Sequence, residues 1–479
     1  MSAPERRSEG ARPWVAWAAF AGSCAVVFVL GLLAASILER RAETRARPLV
    51  VKPIEGWEPD NAVWGMNYPR EYESYLATRV DTTRTRHGGA EPRDYLEADP
   101  NQVILFAGYA FAKDYRQARG HYHAVADVTG TKRRNEKTPA TCWSCKSTDV
   151  PRLMAQMGPT EFYATRFDAL VSEVTHPIGC QDCHDPQTMR LRITRPALRE
   201  AWERQGRDIA EATHQEMRTL VCAQCHVEYY FKGAGNYLTF PWDGDMSVEQ
   251  IEQFYDAAGF SDWTHAVSKA PMVKLQHPDY EVYSTGIHAY RGVSCADCHM
   301  PYRTEGGVKF TDHHVQSPLL NIAGSCQVCH RWSEEEIRTR VESGQDKLQG
   351  VRLVAEEAIS HAHFDIAAAM QAGASDDELA ETRRLVRGAQ LRWDYVSANN
   401  GVGFHSPQEC TRILGSAIDL GHKSRLASAR ILAARGIAEA PRYPDWSTKA
   451  KAQALVGAFV EGGAVPALLP QPAAAGAAR

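Results

Sequence analysis

Ten of the 12 cysteines in this 479-residue chain fall into five pairs separated by two residues: Cys142/Cys145, Cys180/Cys183, Cys222/Cys225, Cys295/Cys298 and Cys326/Cys329. Four pairs run directly into histidine, as CQDCH, CAQCH, CADCH and CQVCH, ending at His184, His226, His299 and His330. Two thiols at this spacing can each form a thioether to one haem vinyl, which leaves the next side chain beneath the iron as an axial ligand. At the chain's own Cys and His frequencies roughly 0.01 such matches are expected, so four are not chance. Zinc, a thioredoxin-like dithiol or disulfides would not require His beside every second Cys. Covalent haem is attached on the outer face of the cytoplasmic membrane, so the folded body is expected in the periplasm.

The fifth pair, CWSCK, puts Lys146 where the proximal histidine belongs. An amine binds iron only when neutral, and burial lowers a lysine pKa readily, so Lys146 is a chemically acceptable ligand. Both cysteines are retained, and five covalently bound haem c groups are therefore expected. Of the remaining thiols, Cys24 lies in the apolar N-terminus and Cys410 reads as a plain buried residue. With 54 Lys plus Arg against 58 Asp plus Glu, the net charge of -4 carries no basic excess for nucleic acid.

Residues 14–38 contain no charge, longer than the roughly 20 residues needed to cross a hydrocarbon core. LLAASILERR offers only a poor cleavage site, so an uncleaved membrane anchor is expected, with soluble periplasmic protein after cleavage as the alternative. Arginines flank both ends of the segment and do not orient it; haem attachment does, placing a cytoplasmic tip, anchor and linker in residues 1–50. From 51 to 332 the chain is rich in Pro, Gly, Trp and Tyr without sustained alternation, which predicts short helices and loops around the haems. From 333 to 462 the texture becomes helical, with N-terminal signals at Ser333/Glu336, Ser375/Glu378 and Ser406/Pro407/Glu409 and stops at Gly373, Gly401 and Gly436. Three long helices follow, and 463–479 reads as a disordered Ala/Pro-rich tail. The fold class is mainly α: a multihaem cytochrome c fold with long C-terminal helices.

The motif order with lysine first, together with HVEYYF (226–231), FPWDGDM (240–246), KLQHPDYE (274–281) and TDHH (311–314), resembles the ammonia-forming pentahaem cytochrome c nitrite reductases. The resemblance runs from about Trp57 to about residue 450. It implies second axial ligands for the four histidine haems: His121 with the haem of His226, His313 with that of His184, His405 with that of His299, and His288 with that of His330. His123, His314, His361, His363 and His422 are read as surface or hydrogen-bonded residues. At the Lys146 iron the resemblance implies a catalytic pocket of Arg133, Tyr229 and His277, with Arg133 preferred over Arg134. Arg133 would hold the anion, His277 would donate protons near neutral pH, and Tyr229 would act as a slower acid or hydrogen-bond donor. It further implies one calcium ion on Glu228, Gln276 and the backbone carbonyls of Tyr229 and Lys274, an oxygen-only set that suits a hard cation.

The reading that follows is six-electron reduction of nitrite to ammonium, fed by four bis-His haems. Two alternatives stay open at this stage: an electron-transfer cytochrome without turnover, and a reductase acting mainly on hydroxylamine or sulfite. The resemblance also implies a homodimer through the long helices, and an electron donor that is either a membrane quinol dehydrogenase or a soluble multihaem carrier.

Overall fold

The computed structural model describes residues 13–45 and 50–470. Helix α1, Pro13–Arg45, is exposed along its apolar length, and its Pro13–Arg40 stretch of 28 residues is long and apolar enough to cross a membrane. At 1.5 Å per residue that stretch is about 42 Å, against about 30 Å of hydrocarbon. Residues 1–12, 46–49 and 471–479 of the expected tip, linker and tail lie outside the described residues.

From residue 50 to 332 no helix exceeds the 12 residues of Pro69–Val80 among the described residues. Several of these helices start on proline, at Pro69, Pro159 and Pro196, where the missing N–H costs nothing. Three antiparallel hairpins were not expected: Tyr230–Lys232 with Tyr237–Thr239, Trp263–Thr264 with Pro271–Met272, and Tyr302–Glu305 with Val308–Thr311. Strands of two to four residues are too short for a period of two to register. One apolar core gathers around Trp143, Phe162, Leu198, Phe240 and Trp242, with Trp143 stacked on Phe167 at 3.9 Å. A larger one joins Val103–Phe106 and the 248–282 segment to the long helices.

Those helices are α2 (Glu334–Gln371), α3 (Asp376–Ser397) and α4 (Pro407–Ala433), which pack on one another. Reciprocal capping boxes start α2 at Ser333/Glu336 and α3 at Ser375/Glu378. Gly373 and Gly436 take left-handed φ of 83° and 77° after α2 and α4. Two sequence signals are corrected. Ser406 makes no capping bond, because it is buried and Pro407 supplies the pre-set first turn. Gly401 does not stop α3, which ends at Ser397. A Cβ at Gly401 would lie 2.9 Å from the His405 ring, so that glycine makes room for an imidazole.

A further helix, α5 (Lys449–Val460), follows, and the chain then crosses back over the body. Leu468 is fully buried, its N–H donating to Gln371 and its carbonyl accepting from Arg442 N at 2.8 Å. The expected disorder therefore does not extend over 463–470, where one apolar side chain anchors an otherwise Ala/Pro-rich strap.

Candidate haem and substrate site

The folded segments enclose one continuous cavity of about 2050 Å³, well beyond the ~300–1,000 Å³ of ordinary ligand pockets. Nine of the ten paired cysteines line it, Cys329 excepted, as do Lys146, His184, His226 and His299. None of the ten forms a disulfide.

The structure sets four pairs of imidazoles opposite one another, with their planes 41–88° apart. Ring centres lie 6.5 Å apart for His121 and His226, and 6.2 Å for His184 and His313. The corresponding separations are 6.3 Å for His288 and His330 and 6.3 Å for His299 and His405. A metal–nitrogen bond of about 2 Å on each side, plus ~1.2 Å from nitrogen to ring centre, requires about 6.4 Å. Rings in simple contact also reach such distances, but four pairs near the metal-bridged value, each joining a motif histidine to the partner that the resemblance implies, fit a metal held between them.

On three of these rings the other nitrogen is already committed. Nδ1 of His184 donates to Met189 O at 2.9 Å, His299 to Gln316 O at 2.9 Å, and His313 to Thr311 O at 2.7 Å. A carbonyl can only accept, so Nδ1 carries the proton and Nε2 keeps the lone pair a metal needs. Burial holds His121, His184 and His405 down to about 4, in the neutral form that ligates. His226 departs from this: burial opposes its charge, but Asp279 at 3.4 Å outweighs it and raises the pKa. Of the histidines read as bystanders, His363 is buried between Ser268 and Gln390, and His314 pairs with Asp81 at 3.0 Å. The donor set thus fits covalently held haem.

Lys146 is half-buried in the cavity wall, and its ε-amine has no hydrogen-bond or ion-pair partner among the described residues. The charges of Arg133 and Lys146 both reach Cys142, that of Arg133 reaches Tyr229, and that of Lys146 reaches His277, so the four residues share one end of the space. Arg133 lies 4.3 Å over the Phe111 ring and donates Nε to Thr131 at 3.1 Å, without a carboxylate partner among the described residues. Arg134 is engaged elsewhere, paired with Asp168 at 3.0 Å and bonded to Thr129 O. Burial and neighbouring cysteines push the Tyr229 phenol well up, which makes it a weak acid. The expected protonation of His277 near neutrality is corrected: burial, with Lys146 adding to it, pushes the ring down to about 3. His277 can therefore offer a neutral N–H, and its Nδ1 is buried without a partner among the described residues.

Glu228 is fully buried and makes no ion pair among the described residues; its oxygens accept from Tyr255 OH at 2.6 Å and from Gln276 N. The Lys274 side chain is turned away, buried against Asp394 at 2.8 Å, while its carbonyl accepts from Gln276 Nε2 at 3.0 Å. Turning the Gln276 amide over would set two acceptors side by side, an arrangement only a cation could satisfy. An unpaired buried carboxylate beside oxygen donors fits calcium, although no group of three or more His, Cys, Asp or Glu with metal-holding geometry occurs among the described residues.

Sequence reasoning passed over Asp279, which accepts from His226 Nδ1 and from Asn400 N at 3.0 Å, and Asp394, which holds Lys274. Asp279 lies inside the KLQHPDYE run, where a carboxylate two residues after His277 was the available signal. Nothing near Asp394 in the sequence marks it.

The cytochrome c552 family model matches residues 60–464. The chain belongs to the cytochrome c552 family. Cytochrome c-552 of Bacteroides fragilis is 51% identical over 459 residues, covering 94% of this chain and 93% of that protein. The cytochrome c-552 of Porphyromonas gingivalis is 49% identical over 460 residues, with 94% and 92% covered. Among solved structures, the catalytic subunit of cytochrome c nitrite reductase from Desulfovibrio desulfuricans, described with two calcium sites, matches with a TM-score of 0.75 and 34% identity. That match covers 79% of this chain and 88% of the other. This member of the family therefore has the mainly helical multihaem cytochrome c fold with long C-terminal helices, and its likeness to a reductase supports an oxidoreductase.

Proposed function

We propose that this cytochrome reduces nitrite to ammonium at an iron held by Lys146. The observation that carries the reading is a contrast. Each motif histidine faces a second imidazole at 6.2–6.5 Å, whereas Arg133, Tyr229 and His277 gather around Lys146. Paired imidazoles close both faces of an iron and leave it electron transfer; an anion-holding arginine beside hydrogen-bond donors suits a reacting ligand. The solved reductase that this chain resembles adds the substrate. A haem bound at Cys142 and Cys145 would supply a reducible iron. Taking nitrite to ammonium and two waters consumes six electrons and eight protons. Arg133 orients the anion by charge-assisted hydrogen bonds, Tyr229 and neutral His277 donate hydrogen bonds to its oxygens, and protons arrive through the cavity.

A route for the electrons is supported by the closeness of the motifs: Cys145 lies beside Cys225, and Cys222 beside Cys295, in the wall of one cavity. Calcium at Glu228 would stiffen the segment that carries Tyr229. We place the cytochrome on the periplasmic face of the membrane, held by an uncleaved α1. Residues 51–332 form the catalytic region, and 333–462 form the dimerisation region. Exposed Leu353, Val354 and Leu426 on α2 and α4 support a homodimer, and a quinol dehydrogenase or multihaem carrier supplies electrons. The test is methyl-viologen-driven turnover with nitrite, ammonium being quantified. Ammonium at one mole per six electrons is expected, and haem-replete protein producing none removes the reading.

A further inference from the structure

Arg195 is completely buried, and its bonds run to haem-binding segments. Nε donates to Ser144 O at 2.7 Å and Nη2 to Ser147 O at 2.9 Å, so the guanidinium spans the turn that contains Cys145 and Lys146. Nη1 reaches Asp182 at 2.6 Å and Thr194 Oγ1 at 2.6 Å. Asp182 is itself buried inside CQDC, and its second oxygen accepts from Gly179 N at 2.8 Å. One planar fork thereby ties the first motif to the second.

The arrangement recurs along the chain. Asp297, at the same place in CADC, takes Arg218 at 2.9 Å and caps Ser294 N at 2.8 Å. Gln224, at that place in CAQC, accepts from Thr194 N at 3.0 Å and donates to Asp182 O at 2.9 Å. Of these three links only that of Arg195 grips the peptide that carries Lys146, whose far end is also held by Ser147 Oγ donating to His176 O at 2.6 Å. A buried ion pair costs desolvation that packing alone would not justify, and a lysine's point charge could not bridge two carbonyls and a carboxylate at once.

We propose that Arg195 is a positioning residue for the Lys146 iron: its fork fixes the 144–147 turn, so that the amine meets the metal in one orientation. This rests on Lys146 being the iron ligand. The test compares full-length, haem-loaded wild type, Arg195→Lys and Arg218→Lys by electron paramagnetic resonance of the oxidised proteins and by nitrite kinetics. Arg195→Lys keeps the charge and loses the fork. The expected result is a broadened or split high-spin signal, and kcat lowered about tenfold with KM within about threefold. Arg218→Lys should keep the wild-type high-spin signal. If Arg195→Lys does not accumulate, Arg195→Met with Asp182→Asn removes the fork and both charges together, leaves no unpaired buried charge, and is read the same way. A five-haem Arg195 variant with the wild-type high-spin signal and kcat overturns the proposal. Wild type without a high-spin signal instead removes the Lys146 reading beneath it.

Discussion

Arg133 and Arg134 are chemically identical neighbours, and only their partners separate them. Arg134 is neutralised by Asp168 and stacked on Phe167 at 4.4 Å, whereas Arg133 keeps an uncompensated charge in the cavity wall. Charge-assisted hydrogen bonds contribute about 1.5–3 kcal/mol, so Arg133→Gln should raise the KM for nitrite about 10- to 100-fold. Arg134→Gln should leave KM within about twofold and change stability by less than about 1 kcal/mol, as exposed pairs do. Steady-state kinetics and urea unfolding check both; equal effects would mean the anion is held elsewhere. Lys146→His should keep the covalent porphyrin, since both cysteines remain, yet alter the iron's electronics and lower kcat. Mass spectrometry and turnover test this, and an unchanged rate denies the lysine a special part. At this scale the motif ligands were legible because covalent attachment forces a rigid local spacing. The protonation of His277 was not, because burial is set by segments distant in the chain.

Among the elements, the close crossing of two histidine-bearing segments is the most exacting feature. A Cβ on Gly286, just ahead of the Ile287–Tyr290 helix, would lie 1.9 Å from the carbonyl oxygen of His405. Backbone, not a flexible side chain, blocks that space. Gly286→Ala should therefore displace the segments carrying His288 and His405 at a cost of about 1–3 kcal/mol, and perturb the low-spin spectra of their haems. Gly344, inside α2 with nothing within 4 Å of an added Cβ, is the counter-case. Gly344→Ala should stabilise by about 0.5–1 kcal/mol. Urea midpoints moving in the same direction for both would refute the assignment. The starts of α2 and α3 were legible because a capping box is a local bargain between residues three apart. Gly401 was misread for the opposite reason: what it accommodates, the His405 ring, is a tertiary contact that no local rule reports.

Over the whole molecule, charges meet that the sequence keeps far apart. Glu356 in α2 is fully buried, accepts from Trp393 Nε1 at 2.8 Å, and faces Asp99 across Arg352. Burial outweighs Arg352 and, with Asp99 adding to it, lifts the Glu356 carboxyl to about 8. Nothing in either stretch of sequence announces this pairing, because Asp99 and Glu356, 257 positions apart, are brought together only when α2 packs on the N-terminal segments. The consequence has a definite sign. A carboxyl whose folded pKa lies above its unfolded value of about 4.3 binds its proton more tightly in the fold. That contribution to stability is complete below about 4 and is lost as pH rises through about 8. Between pH 6 and 9 the urea midpoint should therefore fall, and Glu356→Gln, which keeps an acceptor for the Trp393 indole, should flatten the fall. A variant as steep as wild type would assign the pH dependence to other buried acids, Glu281 foremost, which burial also raises to about 8.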